Sequence, residues 1–187
     1  MFTLRPLSAP DLPLILPWRN RRDVRELMYT QHVISPAEHA AWFARLRDDA
    51  TKRYFVCERD GEPVGVVGFY AISREHASAE WGFYTCDPGR RGLGTPMAYL
   101  ALQEAFGALA LRKVCAEVLD VNPRGLQFHR RLGFVDEGVR RQHVFVGGQY
   151  RDVYLLALFG DAWRDGLAAQ LRQRLDDNAN DKGNGEA

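Results

Sequence analysis

The sequence predicts one α/β domain built on a mixed, mostly antiparallel sheet, and three observations carry that prediction. Strand-like and helix-like stretches interleave along the chain instead of segregating. Two turn signals, Asp60-Gly61 and Gly147-Gly148, each lie between β-rich runs. The glycine-rich stretch GRRGLGTPMAYLALQEAF, residues 89–106, joins a strand to a run with helical spacing. At 187 residues with 46% hydrophobic side chains, the chain is sized to bury a single core.

Each element follows from local chemistry. Residues 2–4 read as a short strand, and Asp11 is placed to cap a helix towards Asn20 that Pro13 and Pro17 should keep short or broken. Ser35, Pro36 and Glu38 form a capping box with proline at the first helical position, opening a helix through SPAEHAAWFARLRDD. Residues 54–58 and 64–70 are strands joined at Asp60-Gly61, and residues 79–85 continue the sheet. A helix over residues 95–106 precedes a strand at 113–119, and a helix over 123–132 ends at Gly133, where a positive φ is wanted. Two last strands flank Gly147-Gly148. The domain is expected to span residues 1–165. Beyond it, GLAAQLRQRL extends a helix and DDNANDKGNGEA is too polar to pack, so disorder is expected there.

Composition excludes several classes. With 25 basic and 24 acidic residues, the net charge of +1 supplies no overall field for nucleic acid or an anionic membrane. Cys57, Cys86 and Cys115 are odd in number and embedded in strand-like sequence, which fits reduced buried thiols better than disulfides or a metal knuckle. No apolar run approaches the ~18 residues of a membrane span, so a soluble, cytoplasmic protein without a bound metal is expected. The sequence is compatible with a homodimer.

A strand, a glycine turn and a helix start make an anion site, because the first helical N–H groups lack partners and the dipole favours negative charge there. The stretch lacks the Gly-Lys-Ser/Thr ending of a P-loop, reading Gly94-Thr95-Pro96 instead. It follows a meander rather than the first strand of a parallel βαβ unit, which disfavours a dinucleotide. Together with WGFY before it, and KVCAEVL and NPRGLQFHRRLGF after it, the stretch resembles the GNAT N-acetyltransferase superfamily. The resemblance implies a splayed strand pair. Acetyl-CoA pyrophosphate would be held by the backbone of Gly89, Arg90, Arg91, Gly92, Leu93, Gly94 and Thr95, and pantetheine by the main chain of Trp81, Phe83 and Tyr84. Gly92 and Gly94 match the family's two small positions, whereas Gly89 departs from its usual Gln or Arg. The second signature is met by Asn122, His129, Leu132, Gly133 and Phe134, which implies a cofactor contact at Asn122. It places the general acid at His129, where the family often has tyrosine.

RNRRDVRELMYTQHVISPAEHAAWF and EGVRRQHVFVGGQYRDVYLL are similar to the N-acetyltransferases of the pseudaminic acid pathway, which acetylate the C4 amine of a UDP-linked amino-dideoxy sugar. The resemblance implies a nucleotide-sugar acceptor lined by Met28 and Tyr29, with His39 and Trp42 supplying ring surface and Arg19, Arg21, Arg22 and Arg25 supplying donors. It also implies a cleft glutamate at Glu117. Glu80, on the other strand expected to splay, is an alternative acceptor of the amine proton. Two rival readings remain open here: acetylation of a protein N-terminus, as in ribosomal-protein acetyltransferases, and a catalytically silent acyl-CoA-binding module.

Overall fold

The computed structural model describes residues 1–87, 89–90 and 92–183. Its centre is a seven-stranded sheet in the order β1-β2-β3-β4-β5-β7-β6. The strands are β1 (Phe2–Pro6), β2 (Arg53–Arg59), β3 (Glu62–Ser73), β4 (Ser78–Thr85), β5 (Lys113–Leu119), β6 (Val135–Val146) and β7 (Gln149–Phe159). Every neighbouring pair is antiparallel except β4 and β5. The two turn signals act as expected. Asp60 and Gly61 both take positive φ, as do Gly147 and Gly148, giving the two-residue hairpins whose twist matches the strands.

The helices cover both faces. On one side lie α1 (Leu12–Asn20), the single turn α2 (Arg22–Arg25) and α3 (Pro36–Arg47). On the other lie α4 (Gly94–Phe106), α5 (Pro123–Arg131) and, after a short turn α6 (Gly160–Ala162), the C-terminal α7 (Ala168–Gly183). The main core fills the second side, where Met97, Ala101 and Leu102 of α4 meet Val67, Phe69 and Trp81 of the sheet, Leu132 and Phe134 after α5, and Leu171 of α7. The capping box of α3 is complete: Ser35 Oγ accepts from Glu38 N at 3.2 Å, and Glu38 Oε2 accepts from Ser35 N at 2.8 Å.

Two local expectations change, while α1 stays short as its prolines imply. Asp11 caps nothing at α1. Its carboxylate instead accepts from Ser8 N at 2.9 Å and from Arg5 Nη1 and Nη2 at 2.8 and 2.7 Å, because a buried carboxylate gains more from a forked guanidinium than from a backbone amide. Pro17 does not break α1, which runs through it for nine residues; only one intrahelical bond is lost in so short a helix. The polar segment after Leu175 is helical to Gly183 where disorder was expected, since adding residues to an existing helix costs little compared with starting one. Residues 184–187 lie outside the described residues. No helix among those described is long and apolar enough to cross a membrane.

The sheet is incomplete at one seam. β4 and β5 pair only at Ser78↔Lys113, Ala79↔Val114 and Glu80↔Cys115. Beyond Glu80, β4 stays paired with β3 to Thr85, and β5 stays paired with β7 to Leu119, so the two strands diverge. At ~3.3 Å per residue, the freed edge of β4 from Glu80 to Thr85 is about 16 Å long.

Candidate active site

Strand alternation sorts the residues around this opening. On β4, Ala79, Trp81 and Phe83 face the core under α4 and α5. Glu80, Gly82 and Tyr84 face the opposite side, beneath α1 and α3. Their cross-strand partners on β3 are Tyr70, Gly68 and Val66. On β5, Val114, Ala116 and Val118 enter the core, which leaves Cys115 and Glu117 on the Glu80 side. The two strands that diverge therefore present one glutamate each to the same face, at the apex of the opening.

Beside that apex, between the sheet and α1–α3, is a cavity of about 570 Å³ lined by Val66, Gly68, Tyr70, Gly82 and Tyr84 from the sheet. Arg19, Met28, His39, Trp42, Arg45 and Tyr54 complete its wall. Gly68 is a requirement of packing: a Cβ there would lie 2.4 Å from Tyr54 Cε1. Tyr54 in turn stands edge-on to Trp42, ring centroids 5.1 Å apart, and Trp42 stacks on the buried His39 at 5.1 Å. Burial, with Arg19 nearby, lowers the pKa of His39 and favours neutral imidazole. Burial raises the phenols of Tyr54, Tyr70 and Tyr84, so all three stay protonated at neutral pH, with the Tyr70 hydroxyl donating to Trp81 O at 3.3 Å.

Arg19 and Arg45 bring guanidinium groups to this cavity. Arg19 Nη2 donates to Thr30 O at 3.1 Å, but its Nη1 is buried without a partner among the described residues. Desolvation pulls its pKa below the usual guanidinium value, and an arginine remains charged in proteins. The neighbouring arginines are engaged by backbone carbonyls and carboxylates, Arg21 pairing with Asp23 as well. Arg21 donates to the carbonyls of Thr85 and Cys86 at the end of β4, Arg25 donates to Asn20 O at 2.8 Å and Gln31 O at 2.5 Å, and the exposed Arg22 pairs with Glu26.

Met28 and Trp42 line the cavity as expected, but Tyr29 reaches elsewhere: its hydroxyl donates to Glu117 Oε2. The other oxygen of Glu117 accepts from Arg140 Nη1 at 2.5 Å. Arg140, on β6, was not singled out from the sequence; no local motif marks it, and its partner is on another strand. Glu80 has no hydrogen bond or ion pair among the described residues. Its carboxyl is raised above the ordinary range by burial and by Glu117, with Arg140 opposing.

The glycine loop runs into α4, whose N-terminus has no capping side chain. Gly92 takes φ +84°, a conformation that favours glycine. Gly94 also packs closely on α5: a Cβ would meet Phe128 Cε2 at 3.3 Å. The Gly89 amide donates to Asp87 Oδ1 at 2.8 Å, and exposed Arg90 pairs with Glu62 at 3.1 Å. Arg91 lies outside the described residues. Asn122 caps α5, accepting from Gly125 N at 2.8 Å.

His129 differs most from its expectation. It is buried, caged by Trp81, Phe83, Phe128 and Phe134, and its Nδ1 donates to Gly125 O at 2.7 Å. That bond assigns the single proton of a neutral imidazole to Nδ1, leaving Nε2 as an acceptor. Burial lowers the pKa, with the Gly125 bond opposing, so the imidazolium needed for donation from Nε2 is disfavoured. Among the described residues no group of three or more His, Cys, Asp or Glu side chains is placed to hold a metal ion.

Residues 2–135 match the acetyltransferase (GNAT) domain family. The spermidine N(1)-acetyltransferase of Escherichia coli is 30% identical over 157 residues, covering 83% of this chain and 84% of that protein. Acetyltransferase PseH of Campylobacter jejuni is 30% identical over 128 residues, covering 68% and 79%. The structure of spermidine N-acetyltransferase from Vibrio cholerae in complex with CoA and spermine superposes with a TM-score of 0.79 at 28% identity, over 86% of this chain and 96% of that one. A sheet that opens between β4 and β5, a glycine loop feeding α4, and a family match over most of its length place this chain among the GNAT acetyltransferases, as an N-acetyltransferase.

Proposed function

We propose that the enzyme transfers the acetyl group of acetyl-CoA to the C4 amine of a UDP-linked amino-dideoxy sugar. The observation that carries this reading is the chemistry of the acceptor cavity. It has one guanidinium with a nitrogen buried and unpartnered among the described residues, three protonated phenols and a stacked imidazole–indole pair. A diphosphate satisfies the guanidinium, and a uracil suits the aromatic surface. A polyamine would bring several ammonium groups towards Arg19 and Arg45. The carboxylate on that wall, Glu38, is already engaged by Ser35 N and by His32 at 2.9 Å. A protein N-terminus would favour an acidic or open cleft over this aromatic one.

In this reading the pyrophosphate of acetyl-CoA lies against the glycine loop and the first turn of α4, where Gly94 and Thr95 offer amides. The pantetheine arm follows the freed edge of β4 back towards Glu80, bringing the thioester to the apex. The acceptor amine arrives from the cavity past Gly82 and Tyr70, loses a proton to a carboxylate at the apex, and attacks the thioester carbon. The C–N bond forms, the C–S bond breaks, and the departing thiolate takes a proton released from nitrogen, directly or through water. His129, neutral and committed to Gly125 O, shapes the aromatic wall beside the arm.

The polyamine reading keeps one observation in its favour, the two glutamates at the apex, which would attract an ammonium group. Mass spectrometry after incubating the enzyme with acetyl-CoA and either a UDP-4-amino-4,6-dideoxy sugar or spermidine separates the two. Acetylation of the sugar nucleotide with the higher kcat/KM is expected. Acetyl-spermidine alone would overturn the proposal.

A further inference from the structure

Resting on the N-acetyltransferase reading but not on the identity of the acceptor, the two apical glutamates can be given different work. We propose that Arg140 is a positioning residue. Together with Tyr29 it occupies both oxygens of Glu117, withdraws that carboxylate from proton transfer, and leaves Glu80 to take the proton from the attacking amine.

The geometry is asymmetric in every respect that matters to a base. Glu117 accepts from Arg140 Nη1 on one oxygen and from the Tyr29 hydroxyl on the other, and its side chain is 16% exposed. Both bonds favour the charged carboxylate, so protonation there would weaken them. Glu80 stands at the last paired position of β4, opposite Cys115, where the strands part. It is half-buried, and no described side chain bonds to it. The groups that bear on it are Tyr70 from β3, Cys115 and Glu117 from β5, and Arg140 from β6. Tyr29 holds Glu117 from the segment after α2. The negative charge of Glu117 strengthens Glu80 as a base, and the nearby Arg140 opposes that effect. By its bond to Glu117, Arg140 acts through that carboxylate, while Tyr29 ties the acceptor-side segment to β5.

The step balances. Glu80 takes one proton from the acceptor ammonium, giving the free amine that attacks. When the tetrahedral adduct collapses, nitrogen loses a second proton and sulfur gains one. The products are the acetamide, CoA thiol and the proton held by Glu80, which passes to water.

The test reads the carboxylates directly. Protein labelled with 13C at the glutamate side-chain carbonyl is titrated by NMR without substrate, the two signals being assigned by Glu80→Gln and Glu117→Gln. Glu80 is expected to titrate above the usual carboxyl value. Its midpoint should fall by about one pH unit in Glu117→Gln and rise in Arg140→Met, with Arg140→Lys near wild type, since a neighbouring charge moves a carboxyl by about 1–3 units. The double variant Glu117→Gln/Arg140→Met, which removes one charge of each sign, should return close to wild type. In turnover, kcat should fall at least about tenfold further in Glu80→Gln than in Glu117→Gln, as general-base loss requires, and the acid limb of the kcat profile should follow the NMR midpoints. A Glu80 midpoint that moves in neither Glu117→Gln nor Arg140→Met would overturn the proposal, as would a larger kcat loss in Glu117→Gln. The titration needs no acceptor, so it stands or falls separately from the sugar-nucleotide reading.

Discussion

Replacing Arg19 by methionine separates stability from binding, because the two should move in opposite directions. In the free protein Arg19 Nη1 is buried without a partner among the described residues, an arrangement that costs about 1–3 kcal/mol. Methionine keeps much of the stem packing and removes that cost, but it also loses the 3.1 Å bond from Nη2 to Thr30 O, worth about 1 kcal/mol. The difference, about 1 kcal/mol in favour of the variant, raises the melting temperature by about 2–4 °C for a chain of this size. A diphosphate that pairs with the guanidinium gains a charge-assisted bond of about 1.5–3 kcal/mol, so Arg19→Met should weaken UDP binding by about 10- to 150-fold. Differential scanning fluorimetry and calorimetry with UDP measure both quantities on one preparation. A variant that melts lower than wild type while binding UDP equally well would refute the reasoning on both counts.

Other perturbations test other parts. Asp11 is held down to about 2 by Arg5, so the stabilisation it confers is complete above the unfolded value of 3.8 and is lost as pH falls through about 2. Asp11→Asn should cost about 1–2 kcal/mol at pH 7, allowing for the partly exposed Arg5, and should flatten the acid limb of a urea-stability profile. Gly68→Ala sets a methyl 2.4 Å from Tyr54 Cε1 and forces the phenol away from Trp42. It should cost about 1–3 kcal/mol and raise the acceptor KM more than the acetyl-CoA KM in steady-state kinetics. His129→Phe keeps the aromatic cage and should hold kcat within about tenfold of wild type, since it forgoes only a neutral donor bond to Gly125 O of about 1 kcal/mol. A uniform loss of a hundredfold or more across pH would return His129 to the chemistry.

What the sequence made legible was what short-range chemistry decides. The Ser35–Glu38 box, the positive φ pair at Asp60-Gly61 and the strand at Lys113–Leu119 each depend on residues that are neighbours in the chain. The acceptor wall was less legible because a bulge intervenes. Counting back from the Asp60-Gly61 turn pairs Tyr54 with Val67, but the shift between Cys57 and Glu58 moves its partner to Gly68. One residue of register exchanges the faces of a strand, so Tyr54 could not be assigned to the cavity by counting. Tyr29 and Glu117 are 88 positions apart, and Arg5 and Glu58 are 53 apart; neither separation leaves a periodic trace. His129 was read from its motif position, which says nothing of the four aromatic rings that enclose it.

The seam between β4 and β5 also divides the molecule as a folding object. On one side, β2, β3 and β4 form a meander of short connections; on the other, β6 and β7 form a hairpin that carries β5. Each half can consolidate through nearby contacts at small entropic cost, whereas joining them requires a parallel pairing across the whole of α4 for the return of three residue pairs. We expect joining of the halves to be the non-local event of folding, with α4, packed on both β1 and α7, as the strap between them. The narrow strip that admits an acyl donor is the same strip through which the two half-sheets feel one another. Substitutions in the two halves should therefore couple at the apex and where Phe134 and His129 pack on Trp81, and combine additively elsewhere.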